Sequence, residues 1–286
     1  MLTSTVGQTL AEALDGLIEL RPFPAAASRL LAACRDENIT AYKLSQIISL
    51  DPALAIKLLQ IANSPIYGHV GEVSSIQHAT VIIGLRSLKN LAVSTAVADL
   101  FGSGSDVTEQ AREALWLHSL CCGSIAQTLA SATGLSLPDE AFLAGVVHDV
   151  GKLFFADYRP REYVEILSGK HADSIVDIEL QTFGVAHTSV GSECSRTWGL
   201  PDVICDVICH HHQPERSDFE SELLNLVFVA NQLTRIWREE EVATDIGTSD
   251  ALLKFINVDL SPEEADKLRE RAVSEMKIIR EVHQSP

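Results

Sequence analysis

Apolar residues recur along this chain at the three- and four-residue spacing of an amphipathic helix, in blocks that begin after capping residues and end near glycine or proline. No block shows the strict alternation of apolar and polar residues expected of a half-buried strand. The pattern therefore predicts an all-α protein. The predicted helices cover 1–20, a stretch opening at Pro24, 41–49, 52–63, 76–83, 85–100, 109–132, Pro138 to the doublet at 148–149, 160–168, 175–183, 187–198, 201–212, 221–239 and 262–283.

Short polar side chains indicate where several of these helices begin. Thr40, Asp51, Ser75 and Ser174 each stand just before a block, where a side-chain oxygen can accept a hydrogen bond from a first-turn N–H group. Gly84 separates 76–83 from the helix that follows and is a typical helix stop. The sequence therefore predicts helix boundaries at these positions.

The Gly- and Ser-rich stretch 101–106 is the best candidate for a domain boundary. We therefore divide the chain into an N-terminal helix or extension, 1–20, a first helical lobe, 21–104, and a second helical lobe with a C-terminal helix, 105–286. A length of 286 residues is sufficient for two packed lobes. The charged helix at the C-terminus is interpreted as a solvated helix packed along one edge, with a dimerisation helix as the alternative.

Composition and charge narrow the class of partner. Apolar residues make up 46% of the chain, and the formal charge of −17 argues against a general binder of phosphate backbones. The helices 76–83 and 85–100 have the outline of a helix-turn-helix, but the second offers only Arg86, Lys89 and Asn90 before it becomes apolar. We interpret them as two packed helices and expect no nucleic-acid partner. No segment resembles a signal peptide or a membrane span, so a cytoplasmic protein with no membrane contact is expected.

The six cysteines form no C-x-x-C pair, and a chain of this size does not need a disulfide framework. Cys205 and Cys209 lie one helical turn apart, close to three histidines. A cysteine-based metal site is therefore one hypothesis for them. Buried free thiols are the favoured interpretation.

The strongest candidate for chemistry is the run His148-Asp149-Val150-Gly151-Lys152, which follows the apolar block 141–147. We interpret it as the last turn of a buried helix, with Gly151 as the C-terminal stop. Adjacent residues of a helix point roughly 100° apart, so both side chains reach one ion only at a helix end. An imidazole and a carboxylate suit a borderline or hard cation. A capping histidine and a solvated aspartate would also explain the doublet.

Further histidines of the second lobe lie on or at the end of predicted helices, and ligands that converge from several helices often form a metal site. These are His118, His187, His210 and His211. Four others, His69, His78, His171 and His283, are interpreted as ordinary core or surface residues.

The order of these residues, with His148-Asp149-x-Gly151-Lys152 at its centre, resembles the HD superfamily of metal-dependent phosphohydrolases. Further motifs are similar to the HDOD family, the HD-related output domain of bacterial signalling proteins, over about 20–240. They are Leu50-Asp51-Pro52-Ala53-Leu54, the run from Leu58 to Gly68 containing Ala62-Asn63-Ser64-Pro65, Ser75-Ile76 with Gly84-Leu85, Ala141-Phe142-x-Ala144-Gly145 before the doublet, and Trp198-Gly199-Leu200-Pro201 before His210-His211.

The resemblance implies an HD-like helical bundle in the second lobe and a divalent ion in it, namely Fe, Mn, Mg, Zn or Ni. The implied metal ligands are His118, His148, Asp149, His187, His210, His211 and Asn231. HD hydrolases close their site with a late aspartate, and Asn231 stands at the matching place. An amide oxygen carries no charge, so this departure should weaken the hold on the ion.

Two hypotheses of function follow. The favoured one is a bacterial signal-transduction output module that docks protein partners and keeps the HD site as a structural or ligand-sensing pocket, where a phosphate-containing small ligand could bind. No catalytic residue is then expected. The rival is a phosphohydrolase acting on phosphoesters or nucleotides. In it, His118, His148 and Asp149 hold the ion. Lys152 neutralises developing phosphate charge, and a second ion or the phosphate is served by His187, His210 and His211.

Overall fold

The structure is a computed structural model of the chain. It describes residues 23–34, 36, 38–64, 67, 72–102, 108–134, 138–169, 174–219, 221–238 and five positions between 263 and 274. Every regular element within these residues is a helix, which confirms the predicted all-α class. The predicted helix 1–20, most of the predicted helix 262–283 and the boundary residues 103–106 lie outside the described residues, so the division at 104/105 stays a prediction.

All the described α-helices but one, Lys152–Tyr158, correspond to predicted helices. The first lobe contains α1 (Ala25–Cys34), α2 (Ala41–Ser49), α3 (Pro52–Ala62), α4 (Ile76–Ile83) and α5 (Leu85–Gly102). The second contains α6 (Glu109–Thr133), α7 (Pro138–Val147), α8 (Lys152–Tyr158), α9 (Pro160–Ser168), α10 (Ile175–Phe183), α11 (His187–Thr197), α12 (Asp202–His210) and α13 (Glu222–Arg238), with a 3₁₀ turn at Pro214–Arg216.

The capping side chains act as predicted. Thr40, Asp51, Ser75 and Ser174 each accept a hydrogen bond from the backbone N–H group three residues further on, at 3.1–3.2 Å. Each such cap stabilises a helix by about 1 kcal/mol. Local chemistry therefore fixes where these helices begin.

The core of the second lobe is built on the contact of α7 with α6, where two glycines let the backbones touch. A Cβ atom on Gly145 would lie 2.6 Å from the Cα atom of Gly123, and one on Gly123 would lie 2.6 Å from the carbonyl oxygen of Phe142. α7 is buried from Ala141 to Val147. Its C-terminal end therefore delivers the residues that follow it into the interior.

A polar cluster joins the two lobes at the same helix pair. Lys89 of α5 pairs with Asp139 at the start of α7, and Asn90 exchanges two hydrogen bonds with Gln127 of α6, at 2.6 and 3.1 Å. Gln127 also donates to Asp139 at 3.1 Å. The polar side chains near the start of α5 thus face the second lobe. One apolar core continues through both lobes.

Among the described residues, no single helix is long and apolar enough to cross a membrane. Ile76–Ile83 and Leu85–Ala98 reach that length only as a pair, and they are bent by 118° between them. Gly84 makes this bend with a φ of 89°, a conformation that favours glycine.

The contact between α6 and α7 predicts a specific sensitivity. Gly145→Ala should lower the free energy of unfolding by about 1–3 kcal/mol, because the new methyl group overlaps the backbone of Gly123. Gly102→Ala is the matched control, since a Cβ atom there meets nothing within 4 Å. Urea unfolding followed by circular dichroism measures both. Equal stability of the two variants would show that the helices do not touch here.

Candidate metal centre

The His148-Asp149 doublet lies in a turn between two helices. α7 ends at Val147, and α8 begins at Lys152. The prediction that Gly151 stops the first helix was wrong, since Gly151 has ordinary helical angles (φ −61°, ψ −24°) and precedes α8. A Cβ atom on it would lie 2.0 Å from the carbonyl oxygen of His187. Glycine is needed because α11 packs directly against this turn.

The fold gathers five imidazoles and one carboxylate from separate parts of the second lobe. They form two overlapping groups, and within each the ligand atoms lie within 4.8 Å of one another. One group is His118, His148 and Asp149, and the other is Asp149, His187, His211 and His212. His118 comes from α6, His187 is the first residue of α11, and His211 and His212 follow α12.

Asp149 is shared by both groups, and each of its two oxygens faces a different pair of histidines. Oδ2 lies 3.3 Å from Nε2 of His148 and 3.6 Å from Nε2 of His118. Oδ1 lies 3.4 Å from Nε2 of His187 and 3.3 Å from Nε2 of His211. The carboxylate is 1% exposed. It could therefore serve a cation on either side.

Three histidine rings are held in orientation by hydrogen bonds at Nδ1, the ring nitrogen that does not face Asp149. The acceptors are the Gly145 carbonyl for His148 at 2.6 Å, the Ile208 carbonyl for His211 at 3.0 Å and the Glu179 carboxylate for His187 at 2.6 Å. Carbonyl and carboxylate oxygens only accept, so each Nδ1 carries the hydrogen. Each Nε2 then points at Asp149 with a lone pair available to a proton or a metal ion.

Unsatisfied polar atoms at the centre indicate that a cation fits there. Nε2 of His148, Oδ1 of Asp149 and Nε2 of His212 are buried, and none has a hydrogen-bond partner among the described residues. Such atoms are costly unless something satisfies them. Three of the four distances from Asp149 to the facing nitrogens are 3.3–3.4 Å, within the roughly 3.0–3.5 Å between ligands whose metal bonds are about 2.1 Å, and the fourth, to His118, is 3.6 Å. The nitrogen-rich donor set suits a divalent transition metal.

The pKa values show that positive charge is favoured around Asp149. Burial raises the pKa of Asp149, but His148 and Lys152 outweigh burial and hold it well below its usual range. Burial lowers the pKa of His148, but Asp149 outweighs burial and raises it to about 10. Burial lowers the pKa of His211 to about 4 and also lowers that of His212. The last two imidazoles are therefore neutral near pH 7, as metal ligands must be.

The three adjacent histidines at the end of α12 have roles that differ from the predicted ones. His210, predicted as a ligand, lies outside both groups and is 27% exposed, and its Nδ1 contacts Asp206 at 2.8 Å. The pair that reaches Asp149 is His211 and His212. α12 ends at His210, and the turn after it directs the next two side chains inward. The sequence alone does not show which two of three adjacent histidines will face the centre, and His212 was missed.

Among the described side chains, the cysteines and His78 do not join the centre. Cys205 and Cys209 belong to neither ligand group, and Cys205 contacts the Leu200 carbonyl through its sulfur at 3.5 Å. Cys122, Cys194, Cys205 and Cys209 are free thiols. His78 lies on α4 of the first lobe, whereas His69, His171 and His283 lie outside the described residues.

A cavity of about 540 Å³ opens beside the centre. Its wall includes three residues of the ligand groups, His118, Asp149 and His212. It also includes the cations Lys152 and Arg235. Asn231, predicted to complete the site, is buried in the same wall. The other side is aliphatic and is formed by Val164, Ile166, Leu167, Ile175 and Ile178. Lys152 donates to Oδ2 of Asp149 at 2.6 Å.

Solved structures with the same fold come from several bacteria. An HDOD domain protein of unknown function from Geobacter sulfurreducens has a TM-score of 0.68 at 24% identity and covers 97% of this chain and 95% of its own. A protein from Shewanella amazonensis SB2B, provisionally named a phosphohydrolase, has a TM-score of 0.69 at 22% identity, covering 94% and 98%. One from Marinobacter aquaeolei VT8, provisionally named a signal transduction protein, has a TM-score of 0.73 at 22% identity, covering 98% and 66%.

Sequence comparison places the whole central region in one family. An uncharacterised protein of Treponema pallidum (strain Nichols) is 26% identical over 260 residues, which are 90% of this chain. The chain spans about half the length, 49%, of that curated relative. The model of the HDOD domain matches residues 20–214, which include the histidines of the centre from His118 to His212. This chain belongs to the HDOD family.

Proposed function

We propose that this chain is a bacterial signalling module that binds a divalent cation at the Asp149 centre and acts on protein partners without catalysing a reaction. The observation that supports it most is the charge of the centre. Asp149 is the single carboxylate in the two ligand groups, and Lys152 already contacts one of its oxygens at 2.6 Å. A site so poor in negative charge suits a structural or sensing ion better than a tightly held catalytic pair.

The first lobe supports the docking part of the proposal. Four large apolar side chains are exposed there: Tyr42, Leu50, Ile56 and Val81, at 63%, 65%, 58% and 79%. They lie on or next to α2, α3 and α4, which contact one another. Exposed apolar groups in one region are a common feature of protein-binding surfaces. The name of the Marinobacter protein agrees with a signalling role.

A phosphohydrolase is the second candidate, and the cavity favours it. A space of about 540 Å³ beside the ligands could admit a small phosphoester, with Lys152 and Arg235 in its wall. A bound divalent cation would supply Lewis acidity and an activated water. The name of the Shewanella protein points the same way.

Adjacent histidines provide a test of the cation site. His211→Gln should weaken binding of Mn²⁺ and Zn²⁺ more than about tenfold. Removing a group that only supports a metal ligand already costs about that much affinity. His210→Gln should leave affinity unchanged, because His210 pairs with Asp206. Calorimetric titration of chelator-treated protein measures both. As a second readout, an ion at 100 times its Kd should stabilise the wild type by about 2.7 kcal/mol. Equal losses in both variants would place the ion elsewhere.

Catalysis is tested by incubating the purified chain and Mn²⁺, Fe²⁺, Mg²⁺ or Zn²⁺ with nucleotides, cyclic dinucleotides and a generic phosphodiester. The proposal expects no turnover above the metal blank. Turnover that is lost in Asp149→Asn and kept in His210→Gln would establish the phosphohydrolase instead, since only Asp149 is a shared ligand.

In the regulatory case, a partner retained by the wild type should be lost with Val81→Asp, which places a charge on the exposed surface of α4.

Asn231 should limit how tightly the cation is held. Asn231→Asp adds a negative charge to the wall of the cavity and should increase cation affinity by about ten- to a hundredfold. Asn225→Asp is the matched control, because it adds the same charge to α13 at a residue that does not line the cavity. Calorimetric titration with Mn²⁺ distinguishes them. An equal gain in both variants would reflect overall charge and not the site.

A further inference from the structure

A buried carboxylate lies directly behind His187 and belongs to neither ligand group. Glu179 of α10 is 0% exposed. Its Oε2 accepts from the backbone N–H group of His187 at 2.8 Å and faces Nδ1 of the same residue at 2.6 Å. Its Oε1 accepts from the hydroxyl of Tyr163 at 2.6 Å, and Tyr163 is also fully buried. Both oxygens of Glu179 are therefore used.

This carboxylate is fully buried, and both of its oxygens are paired by hydrogen bonds. An ionised group at this depth is costly unless it is fully paired. Part of its role is to accept from the first N–H group of α11, as a helix cap does. Capping alone does not require the second contact, which fixes the ring.

We propose that Glu179 is the positioning residue of the metal centre, which holds His187 with Nε2 aimed at Asp149 and strengthens it as a ligand, while Tyr163 holds Glu179. The inference rests on the proposed cation site. Because Nδ1 donates to Glu179, Nε2 is the nitrogen left for the ion, and it lies 3.4 Å from Oδ1 of Asp149 and 3.5 Å from Nε2 of His211. A carboxylate behind a ligand histidine fixes its ring and raises its basicity.

Glu179 distinguishes the two sides of Asp149. His148 and His211 donate through Nδ1 to backbone carbonyls, which any sequence would supply. Among the three rings fixed through Nδ1, only His187 uses a charged side chain as the acceptor. A change at Glu179 should therefore act on the group that contains His187 and His211, and not on the folding of the α6–α7 core.

The same fold contains a matched control. Asp206 is a buried carboxylate, 4% exposed, that contacts Nδ1 of His210 at 2.8 Å and accepts from the hydroxyl of Ser217 at 2.9 Å. Asp206 therefore makes the same two kinds of contact as Glu179, one with an imidazole and one with a hydroxyl group. His210, however, lies outside both ligand groups. Removing the charge of Asp206 should leave cation binding unchanged.

The test compares Glu179→Gln, Tyr163→Phe and Asp206→Asn in the full chain, each checked for folding by circular dichroism and titrated with Mn²⁺ and Zn²⁺. Glutamine keeps the size and an accepting oxygen but removes the charge. We expect about ten- to a hundredfold weaker binding for Glu179→Gln, a smaller loss in the same direction for Tyr163→Phe, and no change for Asp206→Asn. The ¹⁵N spectrum of the imidazoles should show Nδ1 of His187 protonated in the wild type and altered in Glu179→Gln.

The outcomes separate this inference from the proposed function. Wild-type protein that binds no cation overturns both. Wild-type binding with unchanged affinity in Glu179→Gln overturns only the role of Glu179 and shows that it acts as a cap of α11. If Glu179→Gln does not fold, Tyr163→Phe, which keeps the carboxylate, decides the question: unchanged affinity and an unchanged His187 signal would overturn the inference.

Discussion

An ionised carboxylate in the interior of a protein is the constraint on which this structure depends. Asp149 is 1% exposed, and burying such a group costs several kcal/mol unless opposite charge and hydrogen bonds compensate. The second lobe brings Lys152 and four facing imidazoles to it, all within 3.6 Å. The buried atoms that remain unsatisfied, among them Oδ1 of Asp149 itself, make a cation the natural complement of this arrangement. The preference of this centre for positive charge therefore depends on residues from several helices of the second lobe.

The precision of the centre comes from backbone contacts that only glycine permits. Gly145 lets α7 touch α6, and Gly151 lets α11 touch the turn that carries the doublet. Contact of main chain with main chain leaves little freedom for the side chains between them, because closely packed interiors do not deform easily. α7 also connects the lobes: Asp139 near its start binds Lys89 of the first lobe, and His148 follows its end. One buried helix therefore joins the first lobe to the candidate metal centre.

The chemistry of the centre and the surface of the first lobe favour different functions, and our proposal rests on the charge of the centre. A cavity lined by Lys152 and Arg235 beside several imidazoles has the parts of a phosphate site. Yet Asp149 is the single carboxylate in the two ligand groups, and Asn231 in the wall of the cavity carries an uncharged amide. The docking part of the proposal rests on the exposed apolar residues on or next to α2–α4.

The sequence by itself determined the features that depend on residues close together along the chain. Thr40, Asp51, Ser75 and Ser174 begin helices as predicted, because a cap bonds within its own first turn. The doublet His148-Asp149 and the family motifs were also visible in it. Only the tertiary structure decided that His212 and not His210 reaches the centre, that Gly151 serves packing, and that Glu179 stands behind His187. These facts depend on distances between segments far apart in sequence, and on the direction of the chain after a helix ends, which no local pattern encodes.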